Sequence, residues 1–215
     1  LVGDSVGTTV LGYSSTVPVT IEMMEHHAAA VLRAVPDALV VVDLPFGEAS
    51  LDRDHVLRVS RRIIQMGAGA VKIEGGAEQE VLRSFLVDAG IPVLGHIGLL
   101  PQRIQVEGNY RKFGRSEEEA EALLEAAESV ERSGCFACVG EMIDADTAGE
   151  IRDRIGIPLI GIGCGPSCDG QILVSHDMLG LGTEKVPSFV KVYADLGRQI
   201  RQSFEEYREE VIQNQ

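Results

Sequence analysis

Basic residues are in short supply: 19 Lys and Arg stand against 33 Asp and Glu, a formal net charge of −14 over 215 residues. A surface that pairs with a phosphate backbone needs the opposite balance, so nucleic acid and anionic membrane are excluded as principal partners. Long apolar runs are missing too. Stretches such as 38–42 and 157–162 fall far short of the roughly 20 residues that span a bilayer, and a soluble, cytoplasmic chain is expected. No linker, low-complexity tract or shift in composition marks a second domain, so residues 1–215 are read as one domain. Neither a Walker A pattern nor a G-x-G-x-x-G fingerprint is found. The run Gly161-Ile-Gly-Cys-Gly165 is followed by Pro166, which lacks the N–H that an anion nest would use, and it reads as a strand-end turn.

Cysteines number four, at Cys135, Cys138, Cys164 and Cys168, in spacings a zinc site could use. The first pair lies in an apolar run that reads as a strand, where residues three apart point to opposite faces. Free buried thiols are therefore expected. Leu1 opens directly in an apolar run with no charged segment ahead of it, so a piece N-terminal to it is expected to be missing.

With 45% apolar and 24% charged residues, the chain has the composition of a globular protein large enough to bury a sizeable core. Seven short apolar runs, at 1–3, 38–43, 70–74, 91–97, 135–141, 157–163 and 171–175, read as strands. Helical patterns lie between them. Ser116-Glu-Glu-Glu119 is a capping box ahead of Ala120, Leu123, Leu124, Ala127 and Val130 at helical spacing. Segments 20–33 and 53–66 read likewise, and Phe189, Tyr193, Leu196, Ile200, Phe204, Tyr207 and Val211 form the stripe expected of a last, outer helix. Continuous apolar strands alternating with helices imply a parallel sheet covered on both faces, either doubly wound or closed as a (β/α)8 barrel. Seven strands and a start in mid-strand favour the barrel, an α/β TIM barrel without its N-terminal strand and helix.

Ionisable residues end five of these runs: Asp4, Asp43, Glu74, His96 and Glu141. In a parallel sheet the C-terminal strand ends lie on one side, so the five converge on one pocket. Four carboxylates packed together raise one another's pKa, and a cation is their natural partner; oxygen ligands without cysteine favour Mg2+ or Mn2+ over zinc. Lys72, inside an apolar strand, either pairs with a carboxylate or faces the pocket to bind an anion.

Read in order, Val2-Gly-Asp-Ser5, Leu11-Gly-Tyr-Ser-Ser-Thr16, Asp43-Leu-Pro-Phe46, Lys72-Ile-Glu-Gly-Gly76, Gly95-His-Ile-Gly98 with Pro101-Gln102, Gly161-Ile-Gly163 and Cys168-Asp-Gly-Gln-Ile-Leu-Val174 run across nearly the whole chain. Together they resemble the ketopantoate hydroxymethyltransferase family. The resemblance implies a barrel of the phosphoenolpyruvate/pyruvate type, a homodecamer, and the first committed step of pantothenate synthesis. It also implies 3-methyl-2-oxobutanoate as acceptor, 5,10-methylenetetrahydrofolate as one-carbon donor, and a Mg2+-stabilised enolate. By the same resemblance Asp4, Asp43 and Glu74 are the acidic groups at Mg2+, and Asp4 and Asp43 also meet the substrate. Ser5 and Lys72 hold the keto-acid carboxylate, His96 contacts a ligand, and Glu141 is the catalytic base. Two departures stand out: Gly140-Glu141-Met142 replaces the usual Leu-Glu pattern, and Cys164 stands where Ala is common. The competing readings are a Mg2+-dependent 2-oxo acid lyase of the isocitrate lyase type and an inactive, truncated homologue.

Overall fold

A computed structural model describes residues 1–35, 37–49, 52–108, 110–182 and 186–213. By contact the chain divides into two compact units, Leu1–Gln171 and Ile172–Gln215. In the first, helices separate successive strands as far as β5, and β6 follows β5 directly: α1 (Val6–Thr9), α2 (Ile21–Ala34), β1 (Val41–Asp43), α3 (Arg53–Gln65), β2 (Ala70–Glu74), α4 (Glu80–Asp88), β3 (Val93–Gly98), α5 (Ile104–Glu107), α6 (Glu117–Arg132), β4 (Ala137–Glu141), α7 (Ala145–Arg154), β5 (Leu159–Ile162) and β6 (Gly170–Gln171).

Side-chain caps fix where the long helices begin. The Thr20, Asp52, Ser116 and Asp144 side chains each accept a backbone N–H from the first turn of α2, α3, α6 and α7. In α6, Glu119 reaches back past the cap to accept from the N–H groups of Gly114 and Arg115 at 3.0 and 3.3 Å. Three glutamates in its first turn and Arg132 in its last suit the helix dipole.

All strand pairs are parallel, and their order in the sheet, β1-β2-β3-β4-β5-β6, is their order in the chain. A doubly wound sheet reverses its order at a switch point; this one does not, so it is singly wound. Val2 adds an isolated parallel bridge to Val42 on the outer side of β1. The first apolar run thus pairs at one residue only. The run at 171–175 is corrected: pairing ends at Gln171, and Ser175 opens a helix, because residues beyond 171 find no ladder partner among the described residues.

Alternation along the strands sorts the interior into two layers. Val42, Val71, Ile73, Val93, Cys138 and Leu159 face the helices and build the main core with Val56, Ile63, Leu86, Ala127 and Ile151. Each such fully buried aliphatic side chain contributes about 1.5–3 kcal/mol relative to exposure. On the opposite face Val41, Ala70, Leu94, Ala137 and Val139 form a smaller apolar floor. Cys135 precedes β4, so strand alternation does not apply to it. Contrary to the sequence expectation, it and Cys138 both lie in the helix-side core; as expected, all four cysteines are free thiols, three of them buried and Cys168 half-buried.

Arg83 of α4 is fully buried, and all three donor groups of its guanidinium are used. It donates to the Gly75 carbonyl at 2.8 Å, to Ser129 Oγ at 2.9 Å and to Ser133 Oγ at 3.1 Å, fastening the end of β2 to α6.

The second unit holds α8 (Ser175–Met178) and α9 (Leu196–Gln213). The last helix starts seven residues after Phe189, and no residue of it is buried; Phe204 is 72% exposed. The expected packing of its apolar stripe as an outer helix is thus not seen. Among the described residues no helix is long and apolar enough to cross a membrane.

Candidate active site

Parallel register carries the strand-end polar groups onto one face. Asp43 pairs with Lys72, Glu74 with His96, and Gly98 with Glu141. Paired residues share a face, as do residues two apart, so Asp43, Lys72, Glu74, His96 and Glu141 all project above the small apolar floor. Asp4 joins them from beyond the Val2 bridge, its N–H donating to Asp43 Oδ2 at 3.1 Å. The sequence-predicted residues are therefore brought together, and Asp4, Asp43, Lys72, Glu74 and His96 are all buried. Glu141 is more open, its side chain 18% exposed. Ser5 follows Asp4 into α1 and is half-buried; its carbonyl accepts from the Thr8 and Thr9 hydroxyls, and its side chain makes no cap.

Lys72 sits at the centre. Its Nζ lies 3.4 Å from Asp43 Oδ1, 3.5 Å from Glu74 Oε1 and 3.1 Å from His96 Nδ1. Burial alone would strip its proton, but Asp43, Glu74 and Asp4 outweigh burial and raise its pKa, so it stays an ammonium. The same cation, with His96, overcomes the burial of Glu74 and holds that carboxyl down at about 2. For His96, burial and Lys72 oppose the charge while Glu141 and Glu74 favour it, and the carboxylates win, lifting it to about 9. Below that value the charged ring donates from both nitrogens, Nδ1–H towards Glu74 Oε1 at 3.5 Å and Nε2–H towards Glu141 Oε2 at 3.3 Å, and only in the neutral ring can Nδ1 accept from Lys72 Nζ, 3.1 Å away.

Asp4 and Asp43 differ from Glu74. Burial first, then the Asp43 charge, pushes Asp4 up to about 7, and burial raises Asp43 as well. Asp43 Oδ1 is buried with no hydrogen-bond partner. Glu74, by contrast, has Oε1 near Lys72 and His96 and Oε2 accepting the Gln102 N–H at 3.1 Å. Among the described residues no three His, Cys, Asp or Glu side chains form a ready-made metal cage. Mg2+ does not ask for one: it is commonly held by one or two carboxylates, with waters and substrate oxygens completing the octahedron. Two carboxylates that repel each other, one with an oxygen that accepts no hydrogen bond and has only the Lys72 ammonium near it, fit such an ion.

Gln102, to which the sequence reading gave no role, ties the acidic groups together. Its Nε2 donates to Asp4 Oδ2 at 2.8 Å and to the Leu44 carbonyl at 2.9 Å while its backbone holds Glu74. The available signal was its place in Pro101-Gln102, directly after a strand that ends in the site. Gly98 is the other quiet contributor. At φ +92° it lets the Leu99 N–H donate to the Glu141 carbonyl at 2.8 Å, and a Cβ there would come within 2.2 Å of that oxygen.

The sequence model of the ketopantoate hydroxymethyltransferase family matches residues 1–215. The chain belongs to this family. It is 47% identical over 211 residues to the 3-methyl-2-oxobutanoate hydroxymethyltransferase of Thermotoga maritima, covering 98% of this chain and 78% of that one. To the enzyme of the same name from Caldivirga maquilingensis it is 49% identical, covering 98% and 79%. Among solved structures, a Burkholderia cenocepacia protein provisionally described as a phosphonomutase superposes with a TM-score of 0.56 at 14% identity, over 78% of this chain and 73% of that one. At that identity the likeness bears on the fold alone. The converging acidic strand ends of this ketopantoate hydroxymethyltransferase family member thus stand on a sheet architecture shared more widely.

Proposed function

We propose that this chain transfers a hydroxymethyl group from 5,10-methylenetetrahydrofolate to 3-methyl-2-oxobutanoate, giving 2-dehydropantoate, as a cytoplasmic homo-oligomer whose sheet belongs to a (β/α)8 barrel of the phosphoenolpyruvate/pyruvate type. The observation that carries this reading is the convergence of Asp4, Asp43, Lys72, Glu74, His96 and Glu141 on one face, in a chain nearly half identical to enzymes of that name.

Asp4 and Asp43 would hold Mg2+, with Glu74 as the third acidic group beside it, supplying charge while its oxygens stay engaged by Lys72, His96 and Gln102. A Mg2+ ion held there would supply Lewis acidity to the substrate's keto group, making the neighbouring C3–H more acidic. Ser5 and Lys72 bind the keto-acid carboxylate, Lys72 doing so as an ammonium already buried at the site. Glu141, partly open at the end of β4, takes the C3 proton, and C3 bonds to the folate's methylene carbon; both C–N bonds of that methylene break, water supplies the hydroxyl oxygen, and tetrahydrofolate leaves with its two nitrogens protonated. His96, 3.3 Å from Glu141, orients that carboxylate.

Proton exchange at C3 of 3-methyl-2-oxobutanoate, followed by proton NMR in deuterated buffer with Mg2+ and without folate, isolates the first step. Glu141→Gln is expected to slow exchange by about 10²- to 10⁴-fold with substrate binding retained. Undiminished exchange would move the base elsewhere.

A further inference from the structure

The backbone that carries Glu141 is an unusual turn. Met142, the next residue, has φ 52°, a left-handed conformation that a side-chain-bearing residue rarely adopts. Its neighbours hold it there: the Met142 N–H donates to the Ile162 carbonyl at 2.9 Å, and the Met142 carbonyl accepts from Phe113 N–H at 2.8 Å. At the two ends of this turn stands one side chain from another strand end, that of Cys164. Its Sγ lies 3.0 Å from the Gly140 carbonyl and 3.5 Å from the Ile162 carbonyl, its one hydrogen serving the nearer, and its sulfur accepts the Ile143 N–H at 3.4 Å. Cys164 is fully buried, and Gly140 offers no side chain of its own to the space between Ile143, Leu159 and the sulfur.

We propose that Cys164 is a positioning residue for the reaction: by clamping Gly140 and Ile143 it fixes the peptide frame from which Glu141 reaches the substrate. This rests on Glu141 being the base. A thiol suits the task because it donates and accepts at once. Burial pushes the Cys164 pKa up to about 11, so the hydrogen it donates is present throughout the neutral range. The metal side of the pocket, Asp4 and Asp43, is built on other strands, so loss of the clamp acts on proton removal and leaves ligand binding alone. Misplacing a catalytic group by about 1 Å reduces rate on the order of 100-fold.

The test compares wild type, Cys164→Ala, Cys164→Val and Cys164→Ser in the C3 exchange assay, with KM for the keto acid and the Mg2+-induced shift in melting midpoint measured alongside. Ala removes both hydrogen bonds, Val restores volume without them, and Ser restores a donor and acceptor. We expect exchange to fall about 10- to 100-fold in Ala and Val with KM and the Mg2+ shift unchanged, and to recover in Ser. Exchange at the wild-type rate in Ala, recovery in Val, or equal losses in Ala and Ser would each overturn the proposal. A wild type whose exchange is indifferent to Glu141→Gln would instead defeat the reading beneath it, whatever Cys164 does.

Discussion

Lys72 and Glu74 leave β2 on the same face with Nζ 3.5 Å from Oε1, and this contact makes the stability of the fold depend on pH. Glu74 is held at about 2 in the folded chain against an ordinary 4.5, because Lys72 and His96 overcome its burial. A carboxyl with a depressed folded pKa contributes its stability fully above the unfolded value and loses it as pH falls towards the folded one. The difference is worth on the order of 3 kcal/mol. Glu74→Gln is expected to be less stable than wild type by about that much at pH 7, with the gap closing between pH 4.5 and 2. Urea unfolding across that range checks it; a gap independent of pH would sever the link to Lys72.

The Asp4–Asp43 pair predicts a different response, to metal. Millimolar Mg2+ is expected to raise the melting midpoint of the wild type, since a ligand at 100 times its Kd stabilises by about 2.7 kcal/mol. Asp43→Asn removes half of the pair and is expected to melt at one temperature with or without Mg2+. Because Asp4 is raised to about 7 by burial and by Asp43, it must release a proton to bind the ion. Affinity should therefore climb with pH up to about 7 and level off above it. A thermal melt at pH 6 and pH 8 reads both effects.

Gly98 is expected to tolerate no side chain. Gly98→Ala combines a φ of +92° with a Cβ 2.2 Å from the Glu141 carbonyl, so strain and overpacking add to a loss of about 2–5 kcal/mol. Urea unfolding measures that loss. Where the variant remains folded, C3 exchange is expected to fall while Mg2+ still raises the melting midpoint, since Asp4 and Asp43 stand two strands away.

What the sequence made legible follows from periodicity. Asp43, Glu74, His96 and Glu141 end apolar runs, and a parallel sheet brings such ends to one side, so the side that holds the site could be named before the strands were paired; that the side chains share a face waited on the register. Helices at 21–34, 53–65 and 117–132 announced themselves through caps and stripes. Gln102 and Cys164 did not, because a residue that hydrogen-bonds from a turn has no period to betray it. The last helix failed for a further reason. A stripe such as Ile200, Phe204 and Tyr207 records that a helix has an apolar side but says nothing of what meets it, and Phe204 and Tyr207 are 72% and 65% exposed.

Strands that sit in the sheet in the order they leave the ribosome have a kinetic corollary. Every ladder joins neighbours in the chain, Val71 to Val93 or Cys138 to Leu159, so each closure spans a modest loop and the sheet can grow unit by unit during synthesis. The pocket obeys another clock. Its Gln102–Asp4 hydrogen bond joins residues 98 apart, and Glu141 arrives later still. A nascent chain thus gains its first acidic strand ends well before it gains Glu141, and arrest after β3 would leave those ends without the base.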